Sequence, residues 1–195
     1  DTVLHGKVKA EPNIRLLLNA TCQSAEMSGE RISSVTAWQM TTQTWHVVRA
    51  RIFIDCSGDG VLAPLSGALW RMGREGRSEY NESHAPEEPN PGTMGMSCLF
   101  HARDTGAPVA FEPFPWAYTF ASEDDIPYGP EHHRHIEMGY WWVESGGMQD
   151  AIHDAEEVRD DLLRVVYGMW DHIKNRCIYK DAAANWALDW VQFLP

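Results

Sequence analysis

Arg51-Ile-Phe-Ile-Asp-Cys-Ser-Gly-Asp-Gly60 is the stretch from which the rest of the chain is read. An apolar run (Ile52, Phe53, Ile54) stops at a turn built from Ser57, Gly58, Asp59 and Gly60. A short apolar run bounded by turn residues predicts a strand buried on both faces. Residues 61–69 predict a helix that begins at or just after Gly60. Ser57, Asp59 and Gly60 suit its N-cap region, and Pro64 is tolerated only near its start, where backbone N–H groups lack partners anyway. Strand, glycine turn and helix start form the geometry in which parallel α/β sheets bind anionic cofactors. A Ser-Gly-Asp-Gly turn by itself is also an ordinary turn, so its context decides the reading.

Upstream, residues 14–27 are apolar with polar interruptions. Ser28-Gly29-Glu30 makes a turn, and residues 31–40 alternate through Ile32, Val35, Ala37 and Met40. Thr41-Thr42-Gln43 makes a second turn before a strand over 44–50 with Trp45, Val47 and Val48. Three short strands with tight connections predict an antiparallel meander feeding directly into the 51–55 strand. Residues 1–12 read as the tail of a helix and a loop.

Ile54-Asp55-Cys56-Ser57-Gly58-Asp59-Gly60, followed by Leu62-Ala63 and Ser66-Gly67-Ala68, resembles the Ala-Thr-Gly-Asp-Gly segment of FAD-dependent oxidoreductases with a glutathione-reductase-like flavin fold. Further matches follow in order: Gly73-Arg74-Glu75, Glu79-Tyr80 to Ala85-Pro86, Gly139-Tyr140-Trp141-Trp142 with Glu144, and Val166-Tyr167-Gly168-Met169-Trp170 to Ile173-Lys174-Asn175. The resemblance covers most of the chain from about Ile14 onward. It implies an α/β fold: part of an FAD/NAD(P)-binding three-layer arrangement with its β-meander, plus an α+β substrate region. It implies FAD as cofactor, and hydride transfer between flavin and a small organic substrate. Cys56, Ser57, Gly58, Asp59 and Gly60 would contact the nucleotide end of FAD through backbone N–H groups. Residues 1–77 would form the partial FAD-binding domain and residues 78–195 the substrate or cap region. The family's Gly-x-Gly-x-x-Gly fingerprint has no counterpart, since Gly73-x-x-Gly76 is not one. The expectation is therefore the central part of a longer enzyme.

A chain of 195 residues suits one or two small domains, with 44% hydrophobic and 23% charged residues in the globular range. The formal charge of −12 argues against nucleic-acid and anionic-membrane partners, which need basic surface. Between Arg49 and Arg77, five arginines (Arg49, Arg51, Arg71, Arg74, Arg77) face three acids (Asp55, Asp59, Glu75), a local excess of +2 that leaves −14 elsewhere. Cys22, Cys56, Cys98 and Cys177 show no Cys-x-x-Cys spacing and read as reduced, mostly buried thiols.

Downstream, residues 78–95 read as a loop and residues 93–103 as a strand with Met94, Met96, Cys98 and Phe100 alternating. Residues 104–134 hold five prolines and form a long loop with a short strand at 109–111. Its aromatics (Phe111, Phe114, Trp116, Tyr118, Phe120) argue for an ordered, packed loop. Residues 135–145 predict a strand with Ile136, Met138, Tyr140 and Trp142 on one face. Residues 150–176 predict a helix on the 3–4 spacing of Ala155, Val158, Leu162, Val165, Met169 and Ile173. A second helix is predicted over 181–193, with Ala183, Trp186, Ala187, Trp190, Val191 and Leu194 on one face.

Three constellations bear on chemistry. Glu131-His132-His133-x-His135 offers imidazoles to an ion, but it sits in a Pro-rich loop without i, i+4 pairing; no metal is assigned to it. Tyr140, Trp142 and Glu144 alternate onto one strand face, with Trp141 on the other. That suits a sugar-like or aromatic substrate, but the aromatic core of a sheet is the favoured reading. His101 and Arg103 share a strand face and suit orientation of an oxyanion or proton transfer beside a flavin, although simple surface placement is the favoured reading of such a pair. The alternative function is a non-enzymatic carbohydrate-binding or assembly module with a tryptophan-rich surface.

Overall fold

The computed structural model describes residues 2–126 and 133–194. The chain divides into two compact units, Asp1–Arg71 and Met72–Pro195.

The first unit opens with helix α1 (Thr2–Ala10), which buries no residue. Strands β1 (Ala20–Ser28), β2 (Arg31–Gln39) and β3 (Thr44–Arg49) then form an antiparallel sheet in the order β1-β2-β3. Its turns fall at the two sites predicted, around Gly29 and Gln43, both at positive φ. Trp38 lies opposite Trp45 with ring centroids 4.9 Å apart, the kind of cross-strand aromatic pair that fixes register.

The segment after β3 departs from expectation. Residues 51–55 form no strand, and the side chains of Ile52 and Ile54 are 77% and 80% exposed. The apolar run is real, but no described strand lies beside it to take its backbone bonds. Helix α2 (Leu62–Ser66) is shorter than the predicted 61–69 because Gly67 adopts the left-handed conformation at its end. The Gly67 and Ala68 amides then donate back to the Pro64 and Ala63 carbonyls, a Schellman closure.

The second unit holds the buried apolar core. Helix α3 (Arg77–Tyr80) precedes strands β4 (Met96–Asp104) and β5 (Tyr140–Ser145). Helix α4 (Ala155–Asp171) continues into a π-helical turn, His172–Arg176, and strand β6 (Trp186–Leu194) ends the unit. The antiparallel sheet runs β5-β4-β6. β4 alternates as predicted from Met96 on, with Met96, Cys98, Phe100 and Ala102 buried and the residues between them facing outward, but the strand does not reach Met94, which is exposed. α4 covers the buried face with Val158, Leu162, Val166, Met169 and Trp170. Trp141 stacks on Phe100 at 5.4 Å and lies 6.1 Å from Trp170. Full burial of side chains such as Phe100 and Leu162 contributes roughly 1.5–3 kcal/mol each.

Four sequence expectations change in this unit. The helix predicted over 181–193 is instead a turn followed by β6, paired with β4. The Ala, Trp and Val spacing fits either period, and Lys174 decides between them. Its buried ammonium donates to the carbonyls of Ala183 (2.7 Å), Ala184 (2.9 Å) and Trp186 (2.8 Å), which a helix would spend on its own N–H groups. Trp190 accordingly stacks on His101, 40% exposed, and not on α4. The strand predicted over 135–145 starts only at Tyr140, after a 3-10 turn at Ile136–Met138 that leaves Ile136 buried and Met138 exposed. The short strand at 109–111 is absent, although the Val109 amide donates to Ala184 O. The helix predicted over 150–176 is α-helical only from Ala155, because the Asp150 carboxylate accepts from the Ile152 and His153 amides and holds a separate turn.

The long loop is packed through its aromatics. Phe114 and Trp116 both meet Tyr167 of α4 edge-on, and the Tyr118 amide donates to Arg164 O. Cys98 and Cys177 are buried, Cys22 is half-buried, Cys56 is exposed, and all four are free thiols.

Candidate functional site

The Asp55–Leu62 turn is organised by Asp55, a residue outside the predicted cap. Asp55 Oδ1 accepts from the Ser57 amide (2.9 Å) and the Ser57 hydroxyl (2.6 Å), and Asp55 Oδ2 accepts from the Leu62 amide (2.8 Å). Ser57 Oγ in turn accepts from the Val61 amide at 3.1 Å. These bonds, the Ser57 hydroxyl first, hold the Asp55 carboxyl below its ordinary value. The first amides of α2 are thus satisfied by Asp55 and Ser57 and do not face a ligand, contrary to the strand-turn-helix expectation. Asp59 and Gly60 do not cap the helix by side chain.

The turn itself keeps the features a close-approaching group requires. Gly58 and Gly60 sit at φ +96° and +69°, and a Cβ on either would meet nothing within 4 Å. Both positions need glycine for conformation and leave open space beside the backbone. Among the described residues, no protein acceptor takes the Gly58, Asp59 or Gly60 amides. An open cleft of about 430 Å³ lies between Thr21, Cys22 and Val35 of the sheet and Asp55, Cys56 and Ser57 at the start of the turn; Gly58, Asp59 and Gly60 do not line it. Free amides, glycine backbone and an open cleft fit the edge of a nucleotide cofactor.

The local arginine excess is partly spent inside the second unit. Arg77 pairs with Glu87 and donates to Ala85 O (3.2 Å), and Arg74 reaches His84 O (3.4 Å). Arg49 and Arg51 are exposed in the first unit.

The sheet of the second unit presents a polar and aromatic outer face. His101 on β4 is flanked in register by Tyr140 on β5 and Trp190 on β6. Its ring stacks on Trp190 at 5.7 Å. Arg103 Nε donates to Asp189 Oδ1 at 2.9 Å, and His101 Nδ1 stands 3.6 Å from Asp189 Oδ2. As alternation predicts, Trp141 faces inward, and Tyr140, Trp142 and Glu144 take the other side of β5. His101 and Arg103 share one carboxylate. Asp189 carries no signal in the sequence, because the spacing around it predicts a helix. Of the histidine cluster, His132 lies outside the described residues, His135 is exposed beside Glu137, and His133 is buried.

The sequence profile of a family described as FAD dependent oxidoreductase matches residues 1–193. The chain belongs to that family. No curated protein and no solved structure matches the chain. Membership makes this FAD-dependent oxidoreductase an enzyme with flavin-linked redox activity, and FAD its cofactor. It lends no support to the alternative of a non-enzymatic glycan-binding module. No helix among the described residues is long and apolar enough to cross a membrane.

Proposed function

We propose that this oxidoreductase transfers hydride between a small, neutral or anionic organic substrate and FAD. In this reading residues 1–77 belong to a glutathione-reductase-like, three-layer flavin-binding fold, with β1–β3 as its meander, and residues 78–195 form the substrate region. The nucleotide end of FAD lies against Cys56, Ser57, Gly58, Asp59 and Gly60. The observation that carries this reading is the turn: two glycines at positive φ with open space beside them and three amides without protein acceptors. Bound FAD supplies a two-electron acceptor for hydride. The chain's own contribution is orientation and proton handling. On the outer face of β5-β4-β6, Asp189 holds Arg103 and stands beside His101, and Tyr140, Trp142 and Trp190 offer flat apolar surface. Such a face suits a polyhydroxylated, sugar-like substrate, with aromatic rings packing on C–H faces and charged groups taking hydroxyls. Nucleic-acid and anionic-lipid partners do not suit a chain of net charge −12.

The natural protein should purify with a visible flavin band. Gly58→Val places a branched side chain in the space assigned to the cofactor, on a backbone that resists it. That variant should lose the band while its far-ultraviolet circular dichroism is unchanged. Gly106→Val, equally strained at φ +74° and equally open but in the second unit, is the control and should keep it. Stoichiometric flavin on folded Gly58→Val protein would sink the assignment of the turn.

A further inference from the structure

Four side chains from three separate stretches converge inside the second unit, none of them part of the turn or of the outer sheet face. Glu123 comes from a 3-10 turn, Glu123–Asp125, held by a Ser122–Asp125 capping box. His133 comes from the far end of the same loop. His172 and Cys177 come from the π-helical turn after α4 and the residue that follows it. The ligand atoms of all four lie within 4.8 Å of one another, and His133, His172 and Cys177 are buried.

The distances have the scale of a coordination sphere. His133 Nε2 is 3.1 Å from Cys177 Sγ and 3.4 Å from Glu123 Oε2, and His172 Nε2 is 3.2 Å from Glu123 Oε1. Bonds of about 2.0–2.3 Å at a tetrahedral angle would put neighbouring ligand atoms roughly 3.3–3.8 Å apart. The outer contacts also have the required polarity. The Phe120 carbonyl, 2.8 Å from His172 Nδ1, can only accept, so Nδ1 carries the proton and Nε2 turns a lone pair into the cluster. His172 Nε2 is buried and makes no hydrogen bond, and neither does Glu123 Oε2. The Ile178 amide donates to Glu123 Oε1 (3.0 Å) and the Tyr179 amide to Cys177 Sγ (3.2 Å), both suited to negatively charged ligands.

Neither a catalytic triad nor a plain polar network fits this geometry. A Cys-His-Glu triad needs the thiol and the carboxylate on opposite nitrogens of one imidazole. Here both approach Nε2 of His133. The cluster is also too deeply buried for a substrate. An ordinary buried hydrogen-bond network seldom leaves both a ring nitrogen and a facing carboxylate oxygen without an aligned bond, as His172 Nε2 and Glu123 Oε2 are here.

We propose that Glu123, His133, His172 and Cys177 form a four-ligand structural site for a divalent metal ion, zinc by ligand chemistry. Two borderline imidazoles, one soft thiolate and one hard carboxylate make a mixed donor set that suits Zn²⁺, which accepts all three, and a set filled by protein side chains leaves no open position for catalysis. The ion clips the long loop to the end of α4. The Cys177 amide closes the π-turn on His172 O at 2.7 Å, which sets these two ligands at either end of one widened turn. This site is independent of the flavin reading and differs from the contiguous histidine cluster, sharing only His133 with it.

The test is elemental analysis of the natural protein, purified without a histidine tag and dialysed against metal-free buffer. The expected result is about one zinc per chain. Cys177→Ser and His172→Gln should fall well below one, and His135→Ala, an exposed histidine of the same loop, should keep its zinc. Because a ligand variant could fail to fold, cobalt is added to zinc-stripped wild-type protein as a second measurement. A thiolate-to-cobalt charge-transfer band in the near ultraviolet is expected. Folded wild-type protein with substoichiometric zinc and no such band overturns the proposal. So does full zinc retention by both folded ligand variants.

Discussion

Asp55 shows how one carboxylate sets a turn that glycines only permit. It is exposed, yet it collects three hydrogen bonds across seven residues and ties Ser57 to the start of α2. The residue is plain in the sequence, but local capping rules point to Ser57, Asp59 and Gly60, of which only Ser57 takes a helix-start amide, that of Val61. A cap reaching forward from the end of the apolar run is not legible from local spacing. Asp55 has its folded-state pKa below the ordinary aspartate value, so its contribution is complete above the unfolded pKa of about 3.9 and is lost as pH falls through the folded value. Asp55→Ala is expected to lower the protection factors of the Ser57 and Leu62 amides, taken relative to free-peptide exchange at the same pH, and acidification of the wild type through the folded value, below about pH 3.9, should lower them too. Unchanged exchange at Leu62 in the variant would show that the turn holds without the carboxylate. Lys174 illustrates the same lesson in the second unit. In the sequence it reads only as a favourable charge near a helix end, yet in the fold it gathers three carbonyls 9, 10 and 12 residues ahead.

At the scale of elements, β4 and α4 were legible because each has one buried face and a clean period. Cys98, Phe100, Val158 and Leu162 all lie where alternation or 3–4 spacing puts them. β6 was not, because Trp186, Ala187, Trp190 and Val191 satisfy a helical stripe as well as a strand. Only the long-range pairing with β4 separates the two. The packing of the aromatic loop on α4 depends on a residue whose role no periodicity reveals. A Cβ on Gly168 would stand 2.5 Å from the Tyr118 carbonyl oxygen and 3.0 Å from a Phe120 ring carbon. Helix propensity alone favours alanine there by about 1 kcal/mol. The contact is with backbone, which cannot rotate away, so overpacking should win, with a net loss of roughly 1–3 kcal/mol. Gly168→Ala is therefore expected to lower the denaturant midpoint at unchanged m-value. A stabilised variant would mean that residues 118–120 move off the helix at little cost.

Across the whole molecule the distribution of burial is uneven, and that is the feature with the largest consequence. Every buried apolar side chain among the described residues belongs to the second unit, from Met96 to Ala183. The first unit has a well-registered three-stranded sheet but leaves Trp45, Val47, Ile52 and Ile54 more than half exposed. Hydrogen-bonded ladders in water contribute little net stability unless an apolar face is covered. Those apolar residues are evident in the sequence and imply a buried strand. Local pattern cannot reveal that no strand among the described residues pairs with residues 51–55. Hydrogen exchange on the 195-residue chain follows directly. Amides of β4 and of the buried face of α4 should exchange only through global opening of the second unit, because these elements carry the core cluster that includes Phe100 and Leu162. Amides of residues 51–60 that have no protein acceptor should exchange at close to free-peptide rates, and those of β1 to β3 should fall between. FAD bound at the Asp55–Leu62 turn would slow exchange at Gly58, Asp59 and Gly60 selectively, since ligand binding stabilises the state that holds it. Equal protection of residues 51–60 and α4 in the absence of FAD would mean that the first unit carries a covered apolar face after all, and the unequal division of stability argued from burial would be wrong.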